Sequence, residues 1–266
     1  MVLTREHGRV LQITINRPAK LNAINRAVAL GLHEAVQRLE STPGLTVGVL
    51  HGAGRAFCAG NDLSVRVDDP GGRAITSRGF AGFTEIPPCK PVIAAVEGYA
   101  AGGGFEIALA CDLIVAGDTA QFLLPEVRRG LTPGSGVLRL PRKLPRAIAT
   151  EMMLTGAPQP AAALHHWGLV NRVVPAGQAL EAALQLAGVI AANSPVSIAA
   201  VREMLDIATD VAFGDPAATA GPAGTADAVF FRRQWPVIER AVASPDAAEG
   251  VRAFLEKRAP VWPSLG

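Results

Sequence analysis

Apolar and polar positions fall into short repeated units along the chain. Val10 to Ile15 alternates apolar and polar side chains, the period of a strand, and Asn16-Arg17-Pro18 ends it as a turn. Ile24, Val28, Leu32, Val36 and Leu39 recur at helical spacing, which predicts a helix over 24–39 with Asn22 as its N-cap. Pro43-Gly44 breaks that pattern, and Val47 to Leu50 reads as the next strand. Val92 to Val96 is wholly apolar and reads as a buried strand, turned at Glu97-Gly98. Three glycines, 102–104, then precede the apolar run Phe105 to Ala110, where a helix is predicted. Further strands are predicted at Leu113–Ala116, Phe122–Leu124 and Val170–Val174. Helices are predicted near Leu138, over Ala147–Leu154 and Leu180–Ala192, and again from Ser194-Pro195. Val229–Val242 and Asp246–Lys257 are helical in pattern.

Strand–helix units with short, wholly apolar strands predict an α/β fold whose parallel sheet is buried on both faces. The pattern divides the chain into a core over 1–205 and an all-helical region over 206–266. Helices that follow a compact core often pack on a neighbouring subunit, so an oligomer is expected. Two segments resist assignment. Ser64–Phe83 reads as a variable loop with room for one short helix, and Asp210–Ala226 as a loose Ala/Gly/Pro-rich connector.

Composition narrows the class. At 266 residues and 49% hydrophobic, the chain can bury one large domain with an appendage. Aromatics are only 5%, so small side chains should fill the core. The net charge is +2 and no basic stripe carries interleaved aromatics, so nucleic acid is not an expected partner. Cys58, Cys89 and Cys111 are odd in number and lack C-x-x-C spacing, which reads as reduced cysteines of a cytosolic protein, with no zinc site. No apolar run reaches membrane-spanning length, and Met1–Gln12 has no signal-peptide core, so a cytoplasmic protein without a membrane partner is expected.

The glycines at 102–104 open a helix, where unpaired N–H groups and the helix dipole favour negative charge. Such a backbone suits a carbonyl oxygen that turns negative during reaction, or the glycines simply allow tight helix packing. Glu106, on the first turn, is either a helix-start charge or a catalytic group. The glycine-rich run Gly52–Gly60 is neither a dinucleotide fingerprint nor a phosphate loop, since Phe57 takes the third glycine position and no Gly-Lys-Ser/Thr follows. It is a plain connection, or a backbone that lends an N–H from Asn61 to the oxyanion served by Gly103. Ser135 is no nucleophile elbow, because Pro133 stands where glycine is needed. His7, His33, His51, His165 and His166 are scattered without ligand spacing. Lys20, Arg55, Arg66 and Arg73 could meet phosphates or simply be solvated. Glu106 and Glu126 remain. Each sits in an apolar context, where burial raises a carboxyl pKa and suits it to acid–base work.

The runs Phe57-Cys-Ala-Gly-Asn-Asp-Leu63, Gly98-Tyr-Ala-Ala-Gly-Gly-Gly-Phe-Glu106 and Pro125-Glu-x-x-x-Gly-Leu-x-Pro-Gly134 resemble the enoyl-CoA hydratase/isomerase, or crotonase, family. So do Asn16-Arg-Pro-Ala-Lys-Leu-Asn-Ala23, Gly168-Leu-Val-Asn-Arg-Val-Val-Pro175 and Phe254-Leu-Glu-Lys-Arg-Ala-Pro-Val-Trp262, so the resemblance spans nearly the whole chain. It implies a crotonase-like spiral core of repeated ββα units holding an acyl-CoA site, and C-terminal helices that build trimers, often paired into hexamers. Its implied site has Asn61 and Gly103 as oxyanion-hole amides and Glu106 and Glu126 as catalytic acids. Lys20, Leu21, Ala23, Ala59, Gly60, Asp62 and Leu63 would cradle CoA, with Gly102, Pro125 and Gly134 beside the substrate. The implied reaction is hydration of a trans-2-enoyl-CoA to a 3-hydroxyacyl-CoA in fatty-acid or related breakdown. No metal and no cofactor beyond the substrate's own CoA are implied. A double-bond isomerase and a non-catalytic acyl-CoA-binding protein are the alternatives. Two positions depart from the family pattern: Asn61 carries a polar side chain, and Ser135-Gly136-Val137 replaces a small-residue run near Glu126.

Overall fold

Strands β1 (Val2–His7) and β2 (Val10–Ile15) form an antiparallel pair, and helix α1 (Arg26–Ser41) follows before β3 (Val47–Gly52). A short hairpin, β4 (Ile75–Thr76) and β5 (Gly79–Phe80), precedes β6 (Val92–Val96), β7 (Tyr99–Ala101) and helix α2 (Gly103–Ala110). Then come β8 (Leu113–Gly117), β9 (Gln121–Leu123), α3 (Gly136–Lys143), α4 (Arg146–Thr155), β10 (Gln159–Pro160), α5 (Ala161–His166), β11 (Arg172–Val174) and α6 (Ala179–Ala191). Helices α7 (Pro195–Phe213), α8 (Ala226–Val242) and α9 (Pro245–Leu255) close the chain. The structure, a computed structural model, describes residues 1–64, 74–213 and 226–265, with backbone alone over 210–213 and 226–232.

The main sheet has the order β1-β2-β3-β6-β8-β11 and is parallel throughout except for the β1 edge. All five residues of β6 are buried, as a parallel strand covered on both faces requires. A second, smaller sheet runs β10-β9-β7, with β7 and β9 parallel. Two single parallel bridges, Cys58 to Ala100 and Ile24 to Asn61, prolong this second line of strands. Each winding of the chain therefore gives one strand to the large sheet and one extended segment to the small line. The pairs are β2 with Ile24, β3 with 58–61, β6 with β7, and β8 with β9. This is the ββα spiral, and it stacks successive windings against one another. Phe57, Phe83, Phe105 and Phe122 are fully buried in a core otherwise filled by aliphatic side chains. Phe105 and Phe122 meet edge to face at 5.3 Å.

The structure shifts several expected boundaries. Asn25, not Asn22, caps α1, its side chain accepting from the Val28 N–H at 3.0 Å. The helix cannot start earlier because Ile24 is held extended by its bridge to Asn61. Asn22 instead adopts a left-handed backbone, φ +59°, and is fully buried. Its side chain accepts from the Arg17 N–H and donates to the carbonyls of Ala53 and Ala56 at 2.9 and 2.7 Å. Helix α2 begins at Gly103, two residues ahead of the apolar run. β11 begins at Arg172, because the N–H of Val170 is still turned back to the Leu164 carbonyl. β1 and β7 have no counterpart among the expected strands. The 64–83 loop carries the β4–β5 hairpin at its end, and 65–73, where a short helix is expected, lies outside the described residues. The expected connector 210–226 is entered by α7, and 214–225 also lies outside them.

The chain forms two compact units, Met1–Ile190 and Ala191–Gly266. This division falls before α7 rather than after residue 205, since α7 is one continuous helix from 195. Within the second unit Asp246 accepts from the Ser194 and Ser264 hydroxyls, at 2.6 and 2.8 Å, and Arg258 pairs with Glu249 at 2.6 Å.

Removing the Asn22 amide would strand three backbone groups at once, the Ala56 carbonyl fully buried and the other two half-buried. Asn22→Ala is expected to cost about 3 kcal/mol of stability, read as a lower urea midpoint at unchanged slope. A midpoint equal to that of the parent protein would contradict this account of the 17–22 turn.

Candidate active site

The start of α2 is built on glycine. Gly102 has φ +54°, donates its N–H to the Leu123 carbonyl at 2.8 Å, and accepts from the Glu106 N–H at 3.0 Å. Gly103 is the first helical residue, so its own N–H has no helical acceptor. The neighbouring 58–61 segment presses against this backbone. A Cβ on Gly60, which has φ +89°, would stand 2.7 Å from the Ala101 carbonyl oxygen and 3.0 Å from the Gly103 nitrogen. One on Gly104 would fall 2.2 Å from the Cys58 carbonyl oxygen. Only bare backbone permits this approach.

Ile24 donates to the Gly60 carbonyl at 2.8 Å and accepts from the Asp62 N–H at 2.9 Å. In a parallel bridge the residue between those two directs its N–H to the opposite side, so the Asn61 N–H points away from Ile24. Neither the Asn61 nor the Gly103 N–H has a protein acceptor among the described residues. Both residues line one cavity of about 540 Å³.

Both acids reach the same cavity. Glu106 projects from α2 and is buried at 6% exposure, with Oε1 accepting from the Gly136 N–H at 2.7 Å. Burial pushes its pKa above the usual carboxylate range, opposed by the Gly136 and Gly134 amides and by the Arg139 charge. Glu126 opens a 3₁₀ turn, Glu126–Arg129, directly after Pro125. Its Oε2 is buried without a hydrogen-bond partner, and a Cβ on Gly102 would lie 2.8 Å from its Oε1. Burial raises this pKa too; Glu106 pushes it further and Arg129 pulls it back. The Gly134–Gly136 loop braces Glu106.

Leu21, Ala59, Gly60, Leu63, Gly102, Pro125 and Gly134 also line the cavity. Lys20, Ala23 and Asp62 do not. Lys20 is exposed on the 3₁₀ turn Pro18–Lys20. Asp62 is paired with Arg17 at 2.5 Å, and Arg17 also donates to the Ala23 carbonyl, so these groups brace the segment behind the cavity wall. Arg66 and Arg73 lie outside the described residues. Phe80, Tyr99, Ala101, Leu123, Arg129, Leu131 and Thr132 complete the lining; Tyr99, Ala101 and Leu131 stand in the family-like runs, whereas Phe80 and Leu123 lie outside them. Phe80 covers Gly103: a Cβ there would meet its ring at 2.4 Å. Among the described residues no cluster of three or more His, Cys, Asp or Glu could hold a metal, and no single helix is long and apolar enough to cross a membrane. An apolar cavity with two unused amides and two carboxyls of raised pKa can stabilise a developing oxyanion while moving protons beside it.

Comparison with known proteins converges on one family. The family model described as enoyl-CoA hydratase/isomerase matches residues 5–264. A carnitinyl-CoA dehydratase of Proteus mirabilis (strain HI4320) is 41% identical over 259 residues, covering 96% of this chain and 95% of that protein. The solved enoyl-CoA hydratase from Mycobacterium tuberculosis H37Rv is 43% identical with a TM-score of 0.89, covering 99% of this chain and 98% of that one. The enoyl-CoA hydratase from Mycobacterium marinum matches with the same identity, TM-score and coverage.

The raised pKa of Glu106 links the site to stability. The folded state holds that proton more tightly than the unfolded chain, so the contribution is complete below the ordinary carboxylate range and is lost as pH rises through the raised value. Glu106→Gln keeps an acceptor for the Gly136 N–H and removes the buried charge. The variant is expected to be more stable than the parent by about 1 kcal/mol near about pH 8, with the gap closing towards about pH 4. Thermal melts that show the same gap at both ends of this range would contradict the buried-charge account.

Proposed function

The chain belongs to the enoyl-CoA hydratase/isomerase family, and on that premise we propose that it adds water across the 2,3 double bond of a trans-2-enoyl-CoA. One observation carries this reading: both unused amides and both buried acids open into a single cavity. Attack of water at C3 moves electron density through C2 to the thioester oxygen. Amides preset at Asn61 and Gly103 meet that charge without reorganising, and one such donor is worth about 3 kcal/mol in comparable sites. In this mechanism Glu106, ionised and fixed by Gly136, takes a proton from the water. Glu126, protonated because its buried Oε2 has no partner, delivers its proton to C2. The enolate collapses to a 3-hydroxyacyl-CoA, and no cofactor beyond the substrate's CoA takes part.

The reverse step, loss of water from a 3-hydroxyacyl thioester, uses the same groups with their proton roles exchanged. The relatives named carnitinyl-CoA dehydratase favour that direction as a second mode of this site. The assembly we propose is a cytoplasmic trimer or pair of trimers, with the helices of the second unit at the interfaces. Exposed Trp235, Phe254 and Leu255 on those helices support it.

Loss of enoyl-thioester absorbance with trans-2-enoyl-CoAs of several chain lengths tests the reaction. Glu106→Gln and Glu126→Gln are each expected to lower kcat by about a thousandfold. Silence of the parent protein at every chain length would reject hydration. Loss with Glu126→Gln alone would point to a one-acid isomerase.

A further inference from the structure

Arg129 is the charged group of the cavity lining that hydration does not use. It stands three residues after Glu126 on the 3₁₀ turn Glu126–Arg129. At three residues per turn the two side chains leave the backbone on the same side, and the guanidinium turns back along the turn towards Pro125. Its hydrogen bonding within the protein is one long contact, Nη1 to the Pro125 carbonyl at 3.5 Å. No carboxylate among the described residues forms an ion pair with it, and no other cation lines the cavity. Its charge nonetheless reaches the site, since it acts on Glu126 against the effect of burial. Around it stand Leu123, Leu131 and Thr132, which give an acyl chain an apolar path and one hydroxyl.

A guanidinium with no ion-pair partner among the described residues, exposed at the edge of a ligand cavity, is a fork that matches a carboxylate. We infer that Arg129 selects acyl groups ending in a carboxylate, so that the cavity takes CoA monothioesters of short dicarboxylic acids. This rests on the hydration reading, which sets Glu126 at C2: a cation whose charge reaches Glu126 stands beside the acyl group. A quaternary ammonium next to C3, as in a carnitinyl group, would meet like charge instead.

Binding reads this selectivity without turnover. Calorimetry would compare glutaryl-CoA with pentanoyl-CoA, a chain of equal length without the terminal charge, and with free CoA. The parent protein is expected to hold glutaryl-CoA about tenfold more tightly than pentanoyl-CoA. Arg129→Met should erase that ratio, and Arg129→Lys should keep part of it. Equal affinities in the parent protein would overturn the proposal. So would an Arg129→Met variant that weakens both thioesters and free CoA alike, which would place the guanidinium on a CoA phosphate. Selective binding of glutaryl-CoA alongside silence in the hydration assay would instead fail the reaction and leave the selectivity standing.

Discussion

Everything at the site depends on how closely one stretch of backbone passes another. The segment ending at Gly60 lies so near the first turn of α2 that a methyl group on Gly60 would sit 2.7 Å from a carbonyl oxygen. That contact fixes the Asn61 and Gly103 amides relative to each other. It also forbids either chain from closing the gap with a side chain. Main-chain donors set by packing have no rotamers to lose, so a developing charge meets them already aimed. The hydrophobic core serves this contact. The fully buried Phe57 and Phe105 flank the two segments in sequence and hold them in place.

The two acids add a tension to that frame. Burial pushes both above the ordinary carboxylate range, and Glu106 raises the cost of ionising Glu126 further. A fold selected for stability alone would put amides or apolar groups there. The protein offsets part of the strain unequally. Glu106 has the Gly136 amide on one oxygen, whereas the Oε2 of Glu126 has no partner. That difference separates a carboxyl suited to stay ionised from one suited to carry a proton.

Much of this was legible in the sequence, for physical reasons that differ by residue. The glycines at 102–104 announce a backbone that something must approach, and an acid in an apolar helix announces a perturbed carboxyl. Wholly apolar strands announce the two-sided parallel sheet. Asn22 misleads because the same short amide that caps a helix also tolerates a left-handed backbone, and only the bridge at Ile24 decides between them. β7 is three residues long, too short for a period to register, and β1 is a half-exposed edge with charged positions. Phe80 and Thr132 were not legible at all. They enter the cavity from a hairpin and a loop whose positions are set by contacts distant in sequence. Asp62 shows the opposite error: a residue within a recognisable run whose job is to hold Arg17.

The spiral has a consequence for how such a protein can change. Asn61, Gly103 and Glu126 come from three successive windings, joined by bridges and strand pairs rather than by one continuous segment. Each coil contributes one component of the machinery, much as each card in a rack adds one function. Mutational drift in the coil that carries Glu126 and Arg129 can recast proton delivery and side-group preference while the amide pair in the two preceding coils stays untouched. Diversification of chemistry is therefore cheap at one layer and forbidden at its neighbour.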